Sequence, residues 1–233
     1  DGDRLAAVVI QDGAIGVVVI DAATDAVTTV ATSLRGQSAW MGSALNGSRV
    51  AVRVLAADES VWTSTIVDTR SGASMTLPDV PNRDDQDVGP DFGALSRDGI
   101  RFASPDWSSI RVFGPDGALV RTITTVGPAR DLVWSPDGRR LAFRDGDALV
   151  IADLEDETQV SMALSPTDPY LWHRSGEDLI VARQVDGSAL VERYRGHDLR
   201  SIASRELTGP TGTAGPSDPA PPLCLQLDDD PSS

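Results

Sequence analysis

Leu132-Val133-Trp134-Ser135-Pro136-Asp137-Gly138-Arg139-Arg140-Leu141-Ala142-Phe143 reads as two short apolar strands joined by a Ser-Pro-Asp-Gly turn. Asp or Asn followed by Gly supplies the positive φ angles of a tight hairpin, and the apolar residue beyond the turn begins a buried strand. Degraded copies recur along the chain. They are Asp1-Gly2-Asp3-Arg4-Leu5-Ala6, Asn46-Gly47-Ser48-Arg49-Val50-Ala51, Asp98-Gly99-Ile100-Arg101-Phe102-Ala103 and Ser175-Gly176-Glu177-Asp178-Leu179-Ile180. Successive turn glycines, Gly2, Gly47, Gly99, Gly138 and Gly176, are separated by 45, 52, 39 and 38 residues. The longest spacing contains an insertion, Asp79 to Phe92, whose Pro, Asn and Asp content marks a loop.

Each turn is followed by a second strand, a polar connection and a third strand such as Val17 to Asp21 or Ala148 to Asp153. A fourth strand is expected at Val27 to Val30, Ala73 to Leu77, Ala118 to Ile123, Gln159 to Leu164 and Ser201 to Leu207. Helical periodicity is nowhere sustained. Four strands per roughly 40 residues is the repeat of a β-propeller, in which small sheets bury their faces against their neighbours. The expected fold is therefore all-β, with about five four-stranded blades near 1–37, 38–90, 91–128, 129–168 and 169–207.

Because Asp1 falls inside a turn, the first blade is expected to lack its innermost strand. The ring then either closes with a strand from Leu223 to Leu227 or stays an open arc. The Gly, Pro, Thr and Ser content of 208–222 reads as a tail or linker within 208–233. The start at Asp1 is expected of a processed chain or a piece of a longer one. Trp134 and Trp172 each stand four residues before a turn glycine, an equivalence that argues for packing between blades. Trp40, Trp62 and Trp107 stand at inequivalent places, and of these Trp62 and Trp107, near blade loops, are the candidates for exposed contacts.

The run Val133 to Gly138, then Leu141-Ala142-Phe143 and a strand ending at Asp153, resembles the repeat of TolB-type, WD40-like propellers. The match is close in this repeat, partial in the other four, and extends over about residues 1 to 207. The resemblance implies a propeller with protein-interaction or scaffold roles and an extracytoplasmic location. It transfers no catalytic residue, because the repeated residues, among them Gly2, Gly47, Gly99, Trp134, Asp137, Gly138, Trp172 and Gly176, are structural.

The 233 residues carry 35 acidic and 20 basic side chains, a net charge of −15. Such a chain is repelled by phosphate backbones and anionic membranes, so nucleic acid is not an expected partner. Every basic residue is Arg, a codon signature of a high-GC, actinobacterial source. No apolar run is long enough to insert in a membrane. The single cysteine, Cys224, cannot form an intrachain disulfide or a Cys-based zinc site.

Reactive constellations are missing. No Gly-x-Ser-x-Gly occurs; Gly36-Gln37-Ser38-Ala39-Trp40 fails at its last position. His173 and His197 sit in polar turns without the spacing of a metal pair, and Gly209 to Gly215 lacks the Gly-Lys ending of a phosphate loop. Asp84, Asp85 and Asp87, with Asp91, are the candidate calcium ligands, but the Gly and Glu positions of an EF-hand are not met, which favours a solvated acidic loop. Glu155-Asp156-Glu157 and Asp228-Asp229-Asp230 read as solvated charge runs. The expectation is a non-enzymatic module without cofactor, binding a protein or peptide through its inter-strand loops. The alternative is the accessory propeller of a hydrolase or peptidase whose catalytic domain lies outside this chain.

Overall fold

The computed structural model describes residues 4–36, 38–43, 49–56, 58–81, 93–185 and 188–207. Gly2, Gly47, the acidic group Asp84, Asp85, Asp87 and Asp91, and the whole of 208–233, with Cys224 and the proposed strand Leu223 to Leu227, lie outside the described residues. The described residues form twenty strands in five antiparallel sheets and no helix.

Blade 1 comprises β1 (Arg4–Gln11), β2 (Ala14–Asp21) and β3 (Ala26–Arg35), and β1 is its inner edge. Blade 2 comprises β4 (Ser38–Ser43), β5 (Arg49–Leu55), β6 (Val61–Asp68) and β7 (Ser74–Thr76); β8 (Val80–Pro81) pairs with the other end of β6. Blade 3 comprises β9 (Ala94–Leu95), β10 (Phe102–Pro105), β11 (Ser109–Phe113) and β12 (Leu119–Thr124). Blade 4 comprises β13 (Arg130–Trp134), β14 (Arg140–Asp145), β15 (Ala148–Asp153) and β16 (Gln159–Ala163). Blade 5 comprises β17 (Tyr170–Trp172), β18 (Asp178–Val185), β19 (Ser188–Arg195) and β20 (Ser201–Leu207). Among the described residues the ring is not closed: neighbouring blades touch in sequence order, β1 with β4, β4 with β9, β9 with β13 and β13 with β17.

The turn geometry departs from a two-residue hairpin. Gly138 N–H donates to the Ser135 carbonyl at 2.8 Å and Ser135 N–H to the Arg140 carbonyl at 2.9 Å, with equivalent pairs at Ser96 to Arg101 and His173 to Asp178. Positive φ belongs to Gly99, Gly138 and Gly176 alone in these turns; the aspartates before them contribute through their side chains. Asp137 Oδ1 accepts from the Ser135 hydroxyl and from Arg139 N–H, and Asp98 accepts from Ser96 and Ile100 in the same way. The Ser135 hydroxyl in turn accepts from Arg140 N–H. Ser-x-Asp-Gly is thus a self-wired turn, with Pro136 at the position where a fixed φ is favourable. A true two-residue turn occurs at Asp12-Gly13, where both φ angles are positive, 51° and 73°.

These turns set the strand register, and register decides which side chains meet between blades. Ile15, Val17 and Val19 of blade 1 pack with Val50, Val52 and Val54 of blade 2. Ala51 and Ile66 of blade 2 meet Phe102 and Phe113 of blade 3. Ala103, Ile110 and Val112 of blade 3 meet Trp134, Leu141 and Phe143 of blade 4. Ala142, Leu149 and Ile151 of blade 4 meet Trp172, Leu179 and Val181 of blade 5. In every interface an alanine on the earlier blade receives bulkier residues from the later one.

Trp134 and Trp172, each 7% exposed, supply bulk and a directed bond. Trp134 Nε1–H donates to the Ala94 carbonyl on β9 at 2.8 Å, and Trp172 Nε1–H to the Val133 carbonyl on β13 at 3.0 Å. Each tryptophan thereby ties its inner strand to that of the preceding blade. At the same end Arg49 donates to the Gly99 carbonyl and Arg101 to the Gly138 carbonyl, at 3.0 and 2.6 Å. Trp107, expected in an exposed contact, is buried at 5% exposure. Trp62 is half-buried, with Arg53 over its ring at 5.5 Å.

Strands β2, β6 and β15 each end in an aspartate that accepts two backbone N–H groups of the following turn: Asp21, Asp68 and Asp153. Burial opposes ionisation of Asp153, but the Asp156 and Glu155 N–H groups, Arg140 and Arg139 outweigh it and hold its carboxyl below the ordinary value. Arg139 also pairs with Glu155 and Asp156, so part of the acidic run is neutralised locally.

Trp172→Phe keeps most of the ring and deletes the donor to Val133, so it is expected to cost about 1–2 kcal/mol in a urea melt. A depressed carboxyl stabilises the fold above the unfolded-state value, about 3.9, and that stability is lost as pH falls through the lower folded value. Asp153→Asn is therefore expected to be less stable than wild type at pH 7, with the difference vanishing in acid; melts between pH 2 and 7 check this.

Candidate functional site

The two ends of the arc are built differently. One end carries the Ser-x-Asp-Gly turns, held down by hydrogen bonds among themselves and to neighbouring blades. The other carries the connections between blades, 125–129 and 164–169, and the hairpin Asp145 to Ala148. Connecting loops on a rigid sheet scaffold are where binding groups concentrate.

Adjacent residues at the end of β14 hold the two connections in place. Asp145 accepts from Val126 N–H at 2.8 Å and Gly127 N–H at 3.1 Å, fixing the segment that enters blade 4. This leaves the Val126 side chain 96% exposed. Arg144, 8% exposed, reaches the opposite way. Its Nη1 donates to the Ser165 carbonyl at 2.8 Å and its Nη2 to the Asp168 carbonyl at 2.9 Å, while Nε donates to Asp131 Oδ2 at 3.1 Å. Alternation along a strand explains the division of labour, because successive side chains point to opposite faces.

Around Arg144 lies a cleft of about 310 Å³ between blades 4 and 5, lined by Asp131, Val133, Arg144, Pro166 to Pro169 and Tyr170. That volume is at the lower end of small-ligand sites. The β13 strand is irregular here: its pairing with β14 shifts register between Arg130 and Val133, and Asp131 has φ 53°. Such bulges re-aim side chains at a small cost in backbone strain. The bulge turns the Asp131 carboxylate onto Arg144 while leaving that side chain 62% exposed. The Tyr170 hydroxyl donates to the Asp131 carbonyl at 2.6 Å, and Arg144 lies over the tyrosine ring at 5.9 Å. Asp168, 6% exposed, closes its own loop by accepting from Ser165 N–H.

The cleft therefore offers an outward carboxylate, an aromatic ring between prolines and a cation already shared among three acceptors. Neither histidine nor cysteine lines it. His173 is bonded to Ser175, and His197 stands 57% exposed beside Asp198, both at the opposite end of blade 5. Among the described residues no three His, Cys, Asp or Glu side chains converge as metal ligands. The repeat residues Gly99, Trp134, Asp137, Gly138, Trp172 and Gly176 lie in the turns and interfaces, away from this cleft. No sequence motif marks Asp131, Arg144 or Tyr170. A usable signal was present: Arg53 and Arg144 occupy the same offset from their turn glycines, a charge where a strand is otherwise apolar.

No family model matches the chain, and no curated protein matches it by sequence. Solved structures do. TolB from Acinetobacter baumannii matches with a TM-score of 0.50 at 15% identity, over 88% of this chain and 53% of that one. The β-propeller domain of the Trilobed protease from Pyrococcus furiosus, described as having an open velcro topology, matches with a TM-score of 0.57 at 10% identity, over 85% of this chain and 66% of that one. The Pseudomonas aeruginosa periplasmic gluconolactonase PpgL matches with a TM-score of 0.53 at 18% identity, over 91% of this chain and 70% of that one. The chain thus spans about half the length of the TolB structure. Sheet order, blade-to-blade packing and these likenesses agree that the chain has a TolB-like β-propeller fold.

Proposed function

We propose that this chain is a non-enzymatic propeller module that binds a protein or peptide segment at the end where the blade connections converge, with the cleft between blades 4 and 5 as its anchor. The observation that carries this reading is the cleft's chemistry. Tyr170, Pro166 and Pro169 present a rigid apolar surface, and Asp131 presents a carboxylate held in place by Arg144. Aromatic side chains with few rotamers beside an oriented charge bind a segment at low entropic cost. The lining holds no nucleophile paired with a base, the minimum for covalent catalysis. A net charge of −15 disfavours nucleic acid as the partner. Likeness to TolB and to a periplasmic enzyme supports an extracytoplasmic location.

A second reading, the accessory propeller of a hydrolase or peptidase, draws on the likeness to the Trilobed protease propeller and to the Pyrococcus horikoshii acylaminoacyl peptidase, of which this chain covers 32%. A parent chain with a Gly-x-Ser-x-Gly and later Asp and His would establish it.

Peptides selected by display against the purified chain test the main reading. Tyr170→Ala and Asp131→Ala are expected to weaken their binding about tenfold or more, the effect of losing an anchor side chain, while Arg139→Ala at the opposite end leaves it unchanged. Binding indifferent to Tyr170 and Asp131 contradicts the assignment. Arg144→Ala strands the Ser165 and Asp168 carbonyls and is expected to destabilise the fold by about 3 kcal/mol in urea.

A further inference from the structure

The face of blade 1 turned away from blade 2 is largely apolar, and among the described residues no other blade packs on it. Beyond a bordering row, Gln11-Ala14-Arg35, its rows read across the sheet are Leu5-Ile20-Val27, Ala7-Val18-Thr29 and Val9-Gly16. Leu5, Val9 and Val27 are 62%, 43% and 64% exposed, and no charged residue stands in these rows, in a chain of net charge −15. Leu5, Ala7 and Val9 hold the offsets from Gly2 that Val50, Val52 and Val54 hold from Gly47. The equivalent residues elsewhere are Phe102 in blade 3, Leu141 and Phe143 in blade 4, and Leu179 and Val181 in blade 5. In each of those four blades this side packs against the preceding blade.

The free face of blade 5 is built otherwise. In blades 1 to 4 the centre of the side facing the next blade is an alanine opposite a branched aliphatic: Ala6 with Val19, Ala51 with Ile66, Ala103 with Val112, Ala142 with Ile151. In blade 5 the same place holds Ile180 opposite Arg193, which is paired with Asp178. A guanidinium at the centre of that face is what a solvent-facing terminal repeat carries. It also makes blade 5 a poor cover for Leu5 and Val27, since docking would desolvate the ion pair.

We propose that the outward face of blade 1 is a docking face for another four-stranded blade of the same type, one that presents an alanine between branched aliphatic residues. The occupant follows from continuity with the four interfaces already present, each of which joins a bulky side to an alanine-bearing side. Pairing two copies through their blade 1 faces would instead set bulky side against bulky side.

The test places a second copy of residues 129–174 directly ahead of Asp1 in the full chain. That segment brings blade 4's alanine-bearing face and a Tyr170 to Trp172 strand beside the inner edge of β1. Amide hydrogen exchange at Leu5, Ala7, Val9, Val18 and Ile20 is expected to slow by about tenfold or more as the face leaves solvent. Val27→Asp is expected to leave the melting temperature of the 233-residue chain unchanged and to lower that of the extended chain. Unchanged exchange on blade 1, or an added segment that itself stays unprotected, overturns the proposal. So does a discrete dimer of the original chain in sedimentation that Val27→Asp dissociates, which would make the occupant a second copy.

Discussion

The architecture depends on sheet-on-sheet packing between successive blades, and that packing depends on strand register. Along β14, Leu141 and Phe143 go to blade 3 while Ala142 and Arg144 go to blade 5. A slip of one residue would exchange these sets and put a guanidinium where Phe143 is fully buried. The Ser-x-Asp-Gly turn prevents the slip, since its hydroxyl, carboxylate and backbone bonds define which residue begins the strand. Gly138 is required there by its φ of 69°, and a Cβ at that site would meet only ordinary contacts, the nearest at 3.7 Å from the Ser96 side chain.

Both functional features grow from the same alternation. Arg144 and Asp145, pointing to opposite sides of one strand, hold the connections on either flank of blade 4. They convert loops into fixed surfaces: Val126 stands almost fully exposed on a fastened segment, and the connection that lines the cleft beside Tyr170 is held by Arg144. The guanidinium in the cleft, Arg144, is already engaged by Asp131 and two carbonyls. Blade 1 shows the other consequence. A face made for a neighbour remains apolar where no neighbour lies among the described residues.

Much of this was legible in the chain itself. The recurring Gly followed by an apolar strand indicated a propeller, and the equivalence of Trp134 and Trp172 argued for packing between sheets, where they are buried. That the first blade has three described strands with β1 at its inner edge agrees with the alignment of Gly2 on the other turn glycines. What escaped depends on contacts between residues far apart in sequence. Trp107 lies in a polar stretch, Pro105-Asp106-Trp107-Ser108, that reads as an exposed loop, yet it folds onto the blade and is buried. Nothing local marks Asp131; its bulge arises from the register shift against β14. The cleft is formed by the first two strands of blade 4, the connection that follows it and the first strand of blade 5, a juxtaposition that no local spacing encodes.

The central claim is that the blades are fastened to one another through the inner-strand tryptophans within packed interfaces. Native-state hydrogen exchange of the Trp134 and Trp172 indole Nε1–H protons tests it most directly, because these donors bond only across an interface. Both protons are expected to exchange as slowly as the amides of Leu141 to Phe143, with the free energy of global unfolding. Exchange at the rate of an exposed indole, while those amides remain protected, would contradict the account and leave the blades as loosely joined sheets.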